Sequence, residues 1–310
     1  IVSSAGLYGG SIDLFRDLEA FGITTKYVET NNWEQIEAAI GEHTKLIFAE
    51  TIANPGLTVT DIEKMSEIAH DHGVPLVVDN TTATPYLIRV LKHGADIVVN
   101  SSSKYMNGSS NAISGILTDG GKFKWDKNKY PGMSAYVKYG PMAFVAKLRN
   151  GIFRNTGACL SPVNAYLNLI GIETLGLRME RECQNALELA HWIAENYSDI
   201  IVNYPGLESS SWHNVAKEQF EHGYGAILTL RVGSKEKAFK FIDSLTIPYI
   251  ISNIGDTKTL VLHPASTISL HSTDKEKEDA GVYEDLIRVS VGIEDIEDLK
   301  DDFAQAFSKI

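Results

Sequence analysis

Along the first hundred residues the hydrophobic pattern switches repeatedly between a helical and a strand period. Ile12, Phe15, Leu18 and Phe21 recur at helical spacing and stop at Gly22, which predicts a helix after a polar, glycine-rich opening loop. Residues 23–28 then read as a strand, 33–40 as a second helix, and 45–49 as a strand that ends at Glu50. A further helix is predicted from an Asp61 cap to about His72, closed by Gly73. Two short apolar runs follow, 74–79 (VPLVVD) and 96–100 (DIVVN), with a short helix over 86–93 between them. Both are closed by polar turn residues, as buried strands are.

This alternation predicts an α/β protein with a largely parallel sheet. Residues 112–118 are another strand-like run, and a basic, aromatic loop passes Trp125 and Tyr130. A long helical pattern over 162–197 is expected to be interrupted by Gly171 and Gly176. Past residue 200 the pattern resets, with strands at 226–232, 259–262 and 286–291 and helices near 235–245 and 295–308. The expected organisation is a large domain over 1–200, ending in a long connecting helix, and a smaller α/β domain over 201–310.

Composition narrows the class of partner. A chain of 310 residues with 44% hydrophobic and 22% charged positions is an ordinary globular chain with room for a large core. Its net charge of -12 argues against nucleic acid or an acidic membrane surface as the main partner. Cys159 and Cys183 are too few for a disulfide framework, and no short-spaced Cys/His set points to zinc, so a reducing, cytoplasmic setting is expected. No apolar run reaches the ~18 residues of a membrane span. The opening IVSSAGLYGG lacks the regions of a signal peptide and starts without Met, so a missing upstream segment is expected.

The candidate chemistry centres on Lys104. It follows the 96–100 strand and a serine cluster, and loops beyond strand C-termini form the ligand crevice of open α/β sheets. A partly desolvated lysine there has a lowered pKa and becomes a nucleophile toward a carbonyl, able to hold a cofactor aldehyde as a Schiff base. Ser101 and Ser103 offer hydroxyls to an anion such as a phosphate. Asp79 ends the neighbouring strand, where a carboxylate could keep a pyridine nitrogen protonated, the demand of pyridoxal phosphate (PLP) chemistry. Tyr8, in LYGG, could lie flat on a cofactor ring, and Asn54, after another strand, could face the same crevice. Arg288, flanked by apolar residues on a predicted strand, needs an anionic partner such as a substrate carboxylate. Each has a competing structural reading: a surface lysine, a helix cap for Asp79, a turn tyrosine, turn chemistry for Asn54, and an ion pair for Arg288. His263 and His271 read as structural or weakly functional and not as metal ligands. Neither G-x-G-x-x-G after a strand nor a P-loop occurs, so nicotinamide and ATP chemistry lose their usual motifs.

The pieces LYGG, ETIANP, GVPLVVDNTTATPYL, GADIVVNSSSKY and LIRVSVGIEDIEDL, in that order, resemble the Cys/Met-metabolism family of PLP enzymes over nearly the whole chain. Within it the likeness is strongest to the O-acetylhomoserine sulfhydrylases, through GACLSPVNAYL, GIETLGLRMER, NYPGL, GYGAILTL and SNIGDTKTLVLHPAST. The resemblance implies a PLP-dependent transferase fold of the aspartate aminotransferase-like fold type I. It implies γ-replacement on O-acetylhomoserine by sulfide or methanethiol, giving homocysteine or methionine and acetate. By motif, Lys104 is the Schiff-base lysine, Asp79 the ring-nitrogen partner and Tyr8 the stacked ring. Ser101 and Ser103 hold the phosphate, Asn54 meets cofactor and substrate, and Arg288 binds the α-carboxylate. Asn253, where lyase relatives usually carry Ser, is implied at the substrate. A homotetramer with shared active sites is implied as well.

The chain also departs from the family pattern. Relatives carry a phosphate-binding segment ahead of LYGG, and a Gly-Gly-His-Gly-like loop where this chain has MNGSSN after Lys104. Two alternatives therefore stand beside the main expectation: a γ-lyase, and a truncated, non-catalytic subunit that keeps the fold.

Overall fold

A computed structural model describes all 310 residues. A six-stranded sheet contains β1 (Val2–Ser4), β2 (Lys26–Val28), β3 (Ile47–Glu50), β4 (Leu76–Asp79), β5 (Ile97–Asn100) and β6 (Ile116–Asp119), in the order β2-β1-β3-β4-β5-β6. Every pair is parallel except β5 with β6. The valine-rich strands β4 and β5 lie inside this sheet, covered on both faces, which is why they read as continuous apolar runs.

β1 corrects the expectation of an opening loop. Ser3 and Ser4 give the segment a polar look, yet both are buried, and the Ser3 hydroxyl is satisfied by the carbonyls of Ser4 (3.2 Å) and Phe48 (3.3 Å). The strand expected over 23–28 begins only at Lys26. The helix from Ile12 onward starts earlier, at Gly9, and its last turn tightens over Glu19–Phe21 before Gly22 takes a left-handed φ of 77°. Asp61 caps the helix Ile62–Asp71 by accepting from the Lys64 amide.

A second sheet, ordered β7-β8-β11-β10-β9, contains β7 (Ile201–Asn203), β8 (Ile227–Arg231), β9 (Tyr249–Ile250), β10 (Leu260–Leu262) and β11 (Leu286–Ser290). The two edge strands escaped the sequence pattern because they are very short and their side chains are largely exposed, Ile201 by 60% and Ile250 by 62%. The 162–197 pattern resolves into helices Pro162–Glu173 and Leu175–Asn196, divided at Thr174 and not at either glycine. Gly171 serves close packing: a Cβ there would lie 2.7 Å from the Met106 carbonyl oxygen.

The helix Leu175–Asn196 joins the two cores. Leu175, Met179 and Cys183 pack into the cluster around the first sheet, while Ala186, Leu189, Ala190 and Ile193, farther along, pack into the second. No helix is long and apolar enough to cross a membrane.

Candidate active site

Because β1, β3, β4 and β5 run parallel, their carboxyl ends open on one edge of the sheet, and the order reverses between β1 and β3. Ligands of open α/β sheets bind at that kind of edge. Here the loops beyond the strands enclose a cavity of about 390 Å³. Tyr8, Asn54, Asp79, Ser101, Ser103, Lys104 and Asn253 all line it, so seven of the eight residues singled out in the sequence meet at one place. Arg288 is the exception, lying behind the wall that Asn54, Ser252 and Asn253 form.

Lys104 sits in a tight turn: its amide donates to the Ser101 carbonyl at 3.2 Å and its carbonyl accepts from the Gly108 amide at 2.8 Å. Arg178, from the joining helix, clamps the next residues by donating to the carbonyls of Tyr105 (2.6 Å) and Met106 (3.3 Å). The Lys104 amine donates to Asn253 Oδ1, and Asn253 Nδ2 donates to Ser110 Oγ at 2.7 Å. Burial, with the positive charge of Arg288 adding to it, lowers the Lys104 pKa. The surface-lysine reading is therefore not what the structure shows.

Asp79 caps no helix; its Oδ1 accepts from the Thr81 amide at 2.8 Å, and the Thr81 hydroxyl in turn accepts from the Ser101 amide at 2.7 Å. Burial raises the Asp79 pKa against the pull of the Thr81 hydroxyl and amide. The two serines are unequal, because the Ser103 hydroxyl is already engaged with both backbone groups of Ser114, at 3.1 and 2.8 Å.

Glu50 is the residue the sequence reading passed over. It pairs in register with Asp79 across β3 and β4, lines the cavity, and accepts from the Tyr8 amide at 2.7 Å. Burial first, and then the Asp79 charge, push its pKa well above the carboxylate range. Its signal was present, since IFAE ends in a carboxylate just as LVVD does.

Arg288 is only 2% exposed and has no carboxylate within ion-pairing distance, so the structural ion pair is not formed. Its guanidinium donates to Asn54 Oδ1 (3.2 Å) and to the carbonyls of Ser252 (3.0 Å) and Asn253 (2.9 Å), while Nε has no partner. Burial lowers its pKa to about 10. His263 is structural, its Nδ1 capping the turn at Ser266 (3.2 Å) and its Nε2 donating to the Glu284 carbonyl (2.8 Å).

The donor set fits PLP. A desolvated amine suits the aldehyde, a buried carboxylate lacking a cation suits a protonated ring nitrogen, and an exposed aromatic suits the ring face. The buried Arg288 keeps one donor, Nε, without a partner, which suits an anionic ligand.

Comparison with known proteins agrees. Residues 1–308 match the profile of the Cys/Met metabolism PLP-dependent enzymes, and the chain belongs to that family. It is 42% identical to the homocysteine synthase of Schizosaccharomyces pombe, over 99% of this chain and 75% of that protein. It is 40% identical to the O-acetyl-L-homoserine sulfhydrylase of Leptospira meyeri, over 100% of this chain and 75% of that one. Among solved structures, a putative O-acetylhomoserine (thiol)-lyase from Campylobacter jejuni, holding N'-pyridoxyl-lysine-5'-monophosphate, superposes with a TM-score of 0.93 at 33% identity. That match covers 99% of this chain and 76% of the other. The fold is that of the PLP-dependent fold type I enzymes, as expected.

Proposed function

We propose that this PLP-dependent enzyme replaces the γ-acetoxy group of O-acetylhomoserine by sulfide or methanethiol, giving homocysteine or methionine and acetate. The observation that carries the reading is the Lys104 amine, desolvated in the cavity and hydrogen-bonded to Asn253.

Bound PLP supplies an electron sink for bonds at the substrate Cα. Lys104 would anchor the cofactor aldehyde, and its amine is placed to move protons at Cα and Cβ of a bound substrate. Asp79 would keep the ring nitrogen charged, Tyr8 would cover the ring, and Ser101 would hold the phosphate, with Ser103, its hydroxyl bound to Ser114, needing to turn from that partner to join it. Arg288 and Asn54 take the α-carboxylate, with Asn253 beside them. The chain divides functionally near residue 200, with 1–200 carrying the cofactor and 201–310 supplying Asn253 and Arg288.

Self-association into a homotetramer with shared sites is part of the proposal. Val163, Tyr166 and Leu169 are each more than 60% exposed on the helix Pro162–Glu173, a row of apolar side chains suited to another copy. Two free cysteines support a reducing, cytoplasmic setting. The test is product analysis with O-acetylhomoserine and sulfide: replacement yields homocysteine and acetate, whereas a γ-lyase would release ammonia and an α-keto acid.

A further inference from the structure

Ser110 occupies an unusual place beside this site. It lies in MNGSSN, in the loop after Lys104, and its φ of 54° falls in the left-handed region that favours glycine. It also lines the cavity and accepts from Asn253 Nδ2 at 2.7 Å. The direction of that bond is dictated by chemistry. A lysine ammonium has only donors, so Asn253 must turn Oδ1 toward Lys104 and Nδ2 toward Ser110. The Ser110 hydroxyl, having accepted, has its own proton to give.

Asp256 is buried, which works against its charge, yet the polar surroundings of Ser110 and Lys258 hold its carboxyl below the usual range. Lys258 fixes Asp256 in turn, through its amide at 3.0 Å and its amine at 3.1 Å. Two directed hydrogen bonds thus link the Lys104 amine through the Asn253 amide to the Ser110 hydroxyl.

Resting on the γ-replacement reading, we propose that Ser110 is a positioning residue that sets the orientation of the Asn253 amide and so holds the Lys104 amine against the cavity wall. A lysine that must serve Cα and Cβ in turn needs such a tether. A loosened amine would return its protons out of order and divert substrate to elimination. A serine at a backbone position suited to glycine is then explained by its hydroxyl.

The test compares Ser110→Gly, which relieves the left-handed backbone, with Ser110→Ala, which keeps that strain; both delete the hydroxyl. In cofactor-free protein, the pH dependence of Lys104 acylation by a limiting reagent is read by mass spectrometry. With the tether gone the amine swings toward solvent, and its apparent pKa should rise by at least about 0.5 in both variants. In PLP-loaded protein the ratio of α-keto acid to homocysteine should rise about fivefold or more, as expected for about 1 kcal/mol of lost orientation. On an Asn253→Ala background neither variant should add anything. An unchanged Lys104 titration in both variants, or full additivity with Asn253→Ala, overturns the proposal. If the unsubstituted PLP-loaded protein makes no homocysteine while the titration still shifts in the variants, the γ-replacement reading fails and the tether stands.

Discussion

Arg288, on a strand of the second sheet, donates from Nη1 to Oδ1 of Asn54, in a loop of the first, at 3.2 Å, and no acidic side chain answers its charge. A buried guanidinium held only by neutral oxygens is costly unless an anion completes it.

Arg288→Lys therefore should weaken binding of the amino-acid substrate. Losing planar, charged hydrogen bonds at about 1.5–3 kcal/mol raises KM for O-acetylhomoserine roughly ten- to a hundredfold. The KM for sulfide should stay within about twofold, because that substrate has no carboxylate. Steady-state kinetics with each substrate varied in turn checks this.

Asp79→Asn should separate function from stability. Without its charge the ring nitrogen loses its proton, and kcat should fall on the order of 10²–10³-fold. The cofactor-free protein should become more stable at neutral pH, since burial disfavours the charged carboxylate that Asn removes. Thermal melts with and without PLP, beside turnover, read both effects.

Glu182 makes the pH dependence of stability testable. It has no exposed surface, neither carboxylate oxygen has a hydrogen-bond partner, and burial raises its pKa to about 8. Arg178 on its own helix favours the charged form, while Asp256 and Glu294 oppose it. The folded state holds this proton more tightly than the unfolded state. Its contribution is fully present below the unfolded value of 4.5 and is lost as pH rises to about 8. Glu182→Gln should flatten that slope and stabilise the protein by about 1–3 kcal/mol above pH 8, as denaturant titrations across pH would show.

How much of this was legible in the sequence depended on burial. Strands β4 and β5, covered on both faces, announced themselves as valine runs, and their ends placed Asp79 and Lys104. β1 was missed because its serines are satisfied internally, and β7 and β9 because edge strands need little apolar sequence. Tyr8, Asn54, Ser101 and Ser103 were legible from loop position and motif, and Arg288 from the apolar residues that flank it on its strand. Glu50 was open to reading from its strand-end carboxylate and was passed over, whereas the importance of Ser110 lies in a partner 143 positions away, a separation no local pattern encodes.

The central claim is that Lys104 is the amine that holds PLP, and one measurement addresses it most directly. The protein is incubated with PLP, reduced with borohydride, digested and mapped by mass spectrometry. The account predicts a pyridoxyl-phosphate group on Lys104 at near-stoichiometric yield, abolished in Lys104→Ala and not transferred to another lysine. Labelling scattered over surface lysines, with Lys104 unmodified, would contradict it.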